Sequence, residues 1–561
     1  MVDFVLRGGR VIDGSGAPGR TADVAIADGR VVAVGRITET SRRTLDVDGL
    51  VVAPGFVDLH THYDAQVTWD RLCTPSCWHG VTSVAVGNCG FSLAPCKQTD
   101  REQLLRMLEH VEGMPFESLA AGVRWEWESF PEYLHMLHAR PLGINVGAFI
   151  GHSALRAFVL GDAAYTRAAT TVETDTMQGL VREAMAAGAL GLATSRSPAH
   201  VGARGRPVPS RQATRDELRA LVLAMAESRR GLVEITTETF PISSEELHFL
   251  QELARSARRP ITFSAILDVP DRPDVWEPIY AQIRAELAAG AAIFPQVSCR
   301  PMRFDFDLAT GCASLDAMPC WARWRAATSQ PERLRLLAEP GFRAAVHAET
   351  LGRTSAPASK RWPEVILEEA QQPEHRAFLG HTLAEIAATR GGSVIDALLD
   401  ISAAEELAAR FSMVLVNYDD ERVGALLARR ESLIALSDAG AHVSVLCDAG
   451  YATHLLGHWV RERSLFSWEE AIRRLTSVPA ALLGLTDRGL LVPGAIADVT
   501  CFDPLRVHAR APEKVTDFPG GATRYIARAD GIAHVLVAGT EFLAHGEWTG
   551  AYPGRVLSPT G

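Results

Sequence analysis

The sequence predicts an α/β fold: a (β/α)8 TIM-type barrel carrying a small β-sandwich built from both chain termini. Three observations predict it. Apolar strand-like runs (TSVAVGNCG, PLGINVGAFIG, GALGLATS, GLVEITTET, RPITFSAIL, AAIFPQVS, ESLIALSDAG) alternate with Ala/Leu/Arg/Glu-rich helical segments over several hundred residues. Such repetition calls for a parallel sheet buried on both faces. The two ends of the chain are alike: β-branched runs broken by Asp-Gly and Gly-Gly turns before residue 53, and the same hairpin style in GIAHVLVAGTEFLAHGEWTG. The predicted strands also end in ligand-type side chains, which is where barrel active sites lie.

In order along the chain, residues 1–53 supply the first half of the sandwich and 54–483 the barrel. An irregular insertion rich in Trp, Pro and Cys is expected around 300–380, and residues 484–561 complete the sandwich. A closed barrel is preferred to an open doubly wound sheet because no Gly-rich dinucleotide turn follows the first strand.

Composition narrows the function. Of 561 residues, 47% are apolar and 22% charged, and the net charge is −11. This is a globular chain without the basic runs that neutralise nucleic-acid phosphates. No stretch is long and uncharged enough to span a bilayer. MVDFVLRGGRVIDGSG reads as strand and turn rather than as a signal peptide, and nine dispersed cysteines fit reduced thiols in a bacterial cytoplasm better than a disulfide scaffold. The expected partner is a small-molecule substrate, with a homo-oligomer left open.

The chemistry gathers at strand ends. GFVDLHTHYDAQ places His60 and His62 on one face of the first barrel strand, because strand side chains alternate with period two. TSVAVGNCG ends in Cys89, and ESLIALSDAGAH ends in Asp438 with His442 a short loop beyond. Two imidazoles, a thiolate and a carboxylate compose a divalent-cation shell, most naturally for zinc given the sulfur. Taken singly, Cys89 reads as a small buried hydrophobe and Asp438 as a helix cap. Arg196, in GALGLATSRSPAH, is a fork for a carboxylate. The Cys73–His79 stretch CTPSCWH falls short of a structural zinc set and reads as packing, and His454 and His458 read as ordinary helix residues.

GFVDLHTHYD, VGNCGFSLAPC, GHSALR, GALGLATS, SDAGAH and GAIADVTCFDP together resemble the amidohydrolase superfamily, specifically its D-aminoacylase (N-acyl-D-amino-acid deacylase) branch. The resemblance implies a zinc-activated water attacking an amide carbonyl. It also implies His60, His62 and Cys89 as metal ligands, Asp438 as an acid/base that touches metal, and His152 and Arg156 of GHSALR lining the substrate site. His442 would orient Asp438 or contact substrate. The branch carries two further histidines at the ends of the fifth and sixth strands; here those positions fall at or beside Thr237 and Ala265. A carboxylated lysine cannot compensate, because the only lysines are Lys97, Lys360 and Lys514, none near a central strand end. One ion is therefore expected rather than two, with Glu238 as a replacement ligand. The expected activity is metal-dependent hydrolysis of a non-peptide C–N bond in an N-acyl-(D-)amino acid or related small amide. Two alternatives stay open: a cyclic amide or imide hydrolase, or lyase/isomerase, on the same fold, and a non-catalytic small-molecule binding protein.

Overall fold

A computed structural model describes residues 1–269, 272–309, 315, 318–352 and 361–560. The chain divides into two compact units, Met1–Arg300 with Asp419–Gly561, and Pro301–Tyr418.

The first unit holds the barrel. Its parallel strands are Phe56–Asp58, Val81–Val86, Asn145–Ala148 continued by Ile150–Gly151, Gly191–Ser195, Leu232–Thr236, Ile261–Ile266, Ile293–Val297 and Leu433–Ile434. A parallel bridge from Thr61 to Ala439 joins the last strand to the first, where the His62 amide donates to Ala439 O at 2.8 Å. Val81–Val86 and Gly191–Ser195 are buried at every residue, as strands covered on both faces must be. The intervening helices start where the sequence offers a hydroxyl cap: Thr170, Thr214 and Ser243 each accept the amide three residues on, opening Thr171–Ala187, Arg215–Ala226 and Ser244–Ala257. At the seam, Gly440 (φ 92°) admits no other residue, since a Cβ there would lie 2.7 Å from His62 O.

Both chain ends meet in one sheet. Its order runs Glu547–Trp548, Thr540–Ala544, Ile532–Val537, Val499–Phe502, Val51–Pro54, Arg10–Val11, Arg20–Thr21. A second sheet, Arg30–Gly35, Asp23–Ala27, Val2–Arg7, Ser41–Asp46, shares with it a core of Phe4, Leu6, Val24, Ile26, Val52, Val499 and Leu536.

The second unit, Pro301–Tyr418, reaches beyond the insertion expected at 300–380. Its antiparallel sheet needs Arg410–Val416 as the central strand between Met302–Phe306 and Ile366–Glu369, so the chain must run on to residue 416 to complete it. Trp321, Trp324, Phe342, Leu398 and Phe411 belong to its own core. Lys360 lies outside the described residues. Among the described residues no helix is long and apolar enough to cross a membrane.

Candidate metal centre

At the C-terminal mouth of the barrel, His60, His62 and Cys89 each offer one donor atom, all within 4.8 Å of one another. Both imidazoles are aimed from behind. His60 Nδ1 lies 2.7 Å from Gln296 Oε1 at the end of the seventh strand, which puts the proton on Nδ1 and leaves the Nε2 lone pair for the mouth. His62 Nδ1 lies 3.2 Å from Glu112 Oε1, a carboxylate at the end of helix Arg101–Glu112. On the other side of the rings, Asp438 Oδ1 stands 3.3 Å from His60 Nε2 and 3.8 Å from His62 Nε2, and Cys89 Sγ is 3.6 Å from His60 Nε2.

Asp438, Cys89 and His442 all have left-handed backbone (φ 42°, 54° and 52°), conformations that side-chain-bearing residues adopt rarely and that concentrate at functional sites. Cys89 is clamped from the fifth strand: Glu234 Oε2 accepts its amide at 2.7 Å, and Thr236 Oγ1 donates to Sγ at 3.0 Å.

The electrostatics call for a cation. Glu112, Glu234 and Asp438 converge on two imidazoles, and among the described residues His60 and His62 are the only basic side chains within 4.0 Å of their carboxyl oxygens. Burial raises the Glu112 carboxyl well above its usual range, helped by the charges of Asp438 and Asp64, and burial takes Glu234 up to about 7. Burial and the neighbouring imidazoles push His62 well down, so it is a neutral donor at physiological pH. His62 Nδ1, Glu112 Oε1 and Glu234 Oε1 are buried without a hydrogen bond. A neutral-imidazole, thiol and carboxylate set with unsatisfied buried oxygens fits a divalent cation.

The structure corrects two sequence expectations, one about Glu238 and one about the pair His152 and Arg156. Glu238 is exposed and pairs with Arg196 at 2.8 Å; it lies past the end of strand Leu232–Thr236, whereas Glu234, inside the strand, reaches the mouth. Arg156 is fully buried, its terminal nitrogens spent on Glu217 and on Arg167 O, and His152 spends Nε2 on Glu217 and Nδ1 on Thr194. These two tie helix His152–Leu160 to helix Arg215–Ala226 and offer a substrate nothing. At the end of the fifth strand, at or beside Thr237 as the sequence predicts, Thr236 donates to Cys89 Sγ and Thr237 donates to Thr239 O and Ser264 O.

The Glu217 network makes a pH prediction. Burial alone would raise the Glu217 carboxyl, but the His152 and Arg156 hydrogen bonds outweigh it and hold it at about 2. A depressed carboxylate contributes stability that is present above its unfolded value of 4.5 and lost as pH falls through about 2. That contribution is roughly 3 kcal/mol. Glu217→Gln strands the Arg156 charge in the core and is expected to cost about 3–5 kcal/mol at neutral pH, read by urea denaturation. Its stability should also vary less with pH between 5 and 2 than wild type's. Equal stability of the two proteins at pH 7 contradicts the assignment.

Sequence reasoning missed two site residues. His200 lies beyond the fourth strand with Nδ1 2.6 Å from Ser195 Oγ and its ring against Phe91; burial, then the charges of His442 and His60, lower it to about 3. It stands with Arg196 in GALGLATSRSPAH, and sequence reasoning assigned it no role. Glu112 had no signal, because a helix in the long excursion after the second strand carries it. His79 is buried with both ring nitrogens bonded, to Thr453 and Ala527 O, and His458 pairs with Asp420 and Glu462.

A model described as the amidohydrolase family matches residues 43–541. A D-aminoacylase of Alcaligenes xylosoxydans xylosoxydans is 31% identical over 562 residues, covering 100% of this chain and 98% of the relative. An N-acyl-D-glutamate deacylase of the same organism is 29% identical, covering 99% and 96%. Among solved structures, the N-acyl-D-glutamate deacylase from Bordetella bronchiseptica, complexed with zinc and a phosphonate inhibitor, superposes with a TM-score of 0.66 at 26% identity and covers 99% of both chains. A D-aminoacylase studied for its binuclear metal centre gives 0.64 at 27%, covering 100% of both. The chain belongs to the amidohydrolase family, and its barrel is the (β/α)8 barrel of that family.

Proposed function

We propose that this protein is a metal-dependent hydrolase that cleaves the amide of an N-acyl-D-amino acid, with one zinc ion at the barrel mouth. The observation that carries the reading is the convergence of His60, His62 and Cys89 within 4.8 Å, faced by Asp438 at 3.3 Å from His60. Likeness along the whole chain to D-aminoacylase and N-acyl-D-glutamate deacylase supports the substrate class. His60, His62, Cys89 and Asp438 would hold the ion. A similar D-aminoacylase is described by one-metal activation and second-metal attenuation, which supports a single working ion. Eight free cysteines among the described residues support a reducing, cytoplasmic setting.

When bound, the cation polarises the acyl oxygen and lowers the pKa of the attacking water to about 7. The protein does the rest. Gln296 holds the His60 imidazole in orientation from its Nδ1 side, and the Glu112 carboxyl faces His62 Nδ1 at 3.2 Å. The Asp438 carboxylate takes the proton of the water as its oxygen bonds to the acyl carbon, then delivers that proton to the nitrogen as the C–N bond breaks, because an unprotonated amide nitrogen does not leave. His442, one turn beyond Asp438, and His200 border the same space. Arg196, with 13% of its side chain exposed, binds the substrate carboxylate by exchanging it for the more exposed Glu238.

A panel of N-acyl-D-amino acids, their L-enantiomers and cyclic imides, assayed with one equivalent of zinc, tests the assignment. Turnover of the D-series is expected, with Arg196→Leu raising KM on the order of 10-fold and leaving kcat nearly unchanged. Turnover of cyclic imides alone moves the protein to ring opening. Turnover of nothing, by protein shown to hold zinc, removes the hydrolase reading.

A further inference from the structure

We propose that Glu234 is a metal ligand of this centre, donating Oε1 from inside the fifth strand in place of the imidazole that the strand's end lacks. The inference rests on the one-ion reading above and extends it to a residue type and position that the resemblance does not supply.

Four observations support it. Glu234 and Thr236 lie two apart on one strand and share the inward face. Thr236 spends its hydroxyl on Cys89 Sγ at 3.0 Å. Glu234 starts one pleat deeper, yet its longer side chain climbs to the mouth, where Oε2 accepts the Cys89 amide at 2.7 Å. That hydrogen bond fixes the carboxylate's orientation. The other oxygen, Oε1, is buried without a hydrogen bond of normal geometry, 3.8 Å from His60 Nδ1 and beside Ser264. The residue is 0% exposed. Among the described ion pairs this fully buried carboxyl has no lysine or arginine partner, only the His60 imidazole, with the Ser264 hydroxyl beside it, so a cation at the mouth would give it the positive partner that the metal-free fold lacks.

A structural role and a ligand role differ in sign. If Glu234 only clamped Cys89, removing its charge would leave metal affinity intact. If it is a ligand, the charge is a burden to the metal-free fold and an asset to the loaded one.

The test uses the full chain and zinc alone. Glu234→Gln preserves size and an oxygen to accept the Cys89 amide. By isothermal titration calorimetry the variant is expected to bind zinc at least about 10-fold more weakly than wild type. With metal removed it should unfold at the same temperature as wild type or higher. Substitution by cobalt(II) should change the visible absorption bands, reporting a changed coordination number. Wild-type affinity in the variant, or a metal-free variant that unfolds earlier than wild type, overturns the proposal and leaves Glu234 a clamp. A crystal structure of the zinc-loaded wild type decides the matter without any variant: Oε1 at about 2.0–2.2 Å from the ion is expected, and a separation beyond van der Waals contact overturns the assignment. Should wild type itself bind no zinc, the one-ion reading falls too, and that result is distinct from a variant that binds as wild type does.

Discussion

Asp438→Asn is expected to lower kcat on the order of 10³-fold while zinc content and KM stay close to wild type. Asparagine keeps the size of the side chain and tolerates the left-handed backbone (φ 42°) that Asp438 adopts, so the fold of the SDAG loop is retained. It keeps an oxygen to face His60 Nε2 and His62 Nε2, but it cannot accept the water's proton or return one to the departing amine. Steady-state kinetics beside elemental analysis of the same preparation make the measurement. If the variant kept a tenth or more of the wild-type rate, Asp438 would not be the proton carrier. Loss of zinc together with rate would make it mainly a ligand.

Metal removal is expected to be the second large effect. Dialysis against a chelator should take hydrolysis to background, since the attacking water then returns to its bulk pKa of about 15.7. Adding zinc back should restore the rate with a break at about one equivalent per chain, as the one-ion proposal requires. His62→Ala should weaken zinc retention and remove the imidazole that the Glu112 carboxyl faces at 3.2 Å. Full activity in chelated protein would dismiss the metal altogether. A break at two equivalents would dismiss the single-ion account.

The barrel was readable in the sequence because parallel strands buried on both faces leave continuous apolar runs, and capped helices announce themselves by Thr or Ser before an acidic first turn. His60, His62, Cys89 and Asp438 were readable because each stands at or just beyond a strand end, where one face of a barrel collects them. What could not be read was the direction of side chains in excursions between strands. Glu112 and His200 come from such segments and arrive by tertiary packing. Arg156 shows the converse: its place in a motif suggested a substrate contact, yet the partner that decides its role, Glu217, lies 61 residues away on another helix. Glu234 and Glu238 illustrate how finely strand ends must be known. Four residues separate a carboxylate inside the mouth from one in solvent, and only the observed end of the strand at Thr236 distinguishes them.

The shared terminal sheet has a consequence for how the molecule is made. Val51–Pro54 pairs with Val499–Phe502, so the early segment waits through the synthesis of more than four hundred residues for its neighbour. During that interval its backbone edge is open to any passing strand, and closing so long a loop slows the last step of folding. Nascent chains stalled before residue 499 should therefore depend on chaperones far more than finished ones, and a circular permutant that brings the two strands together early should be released from that dependence.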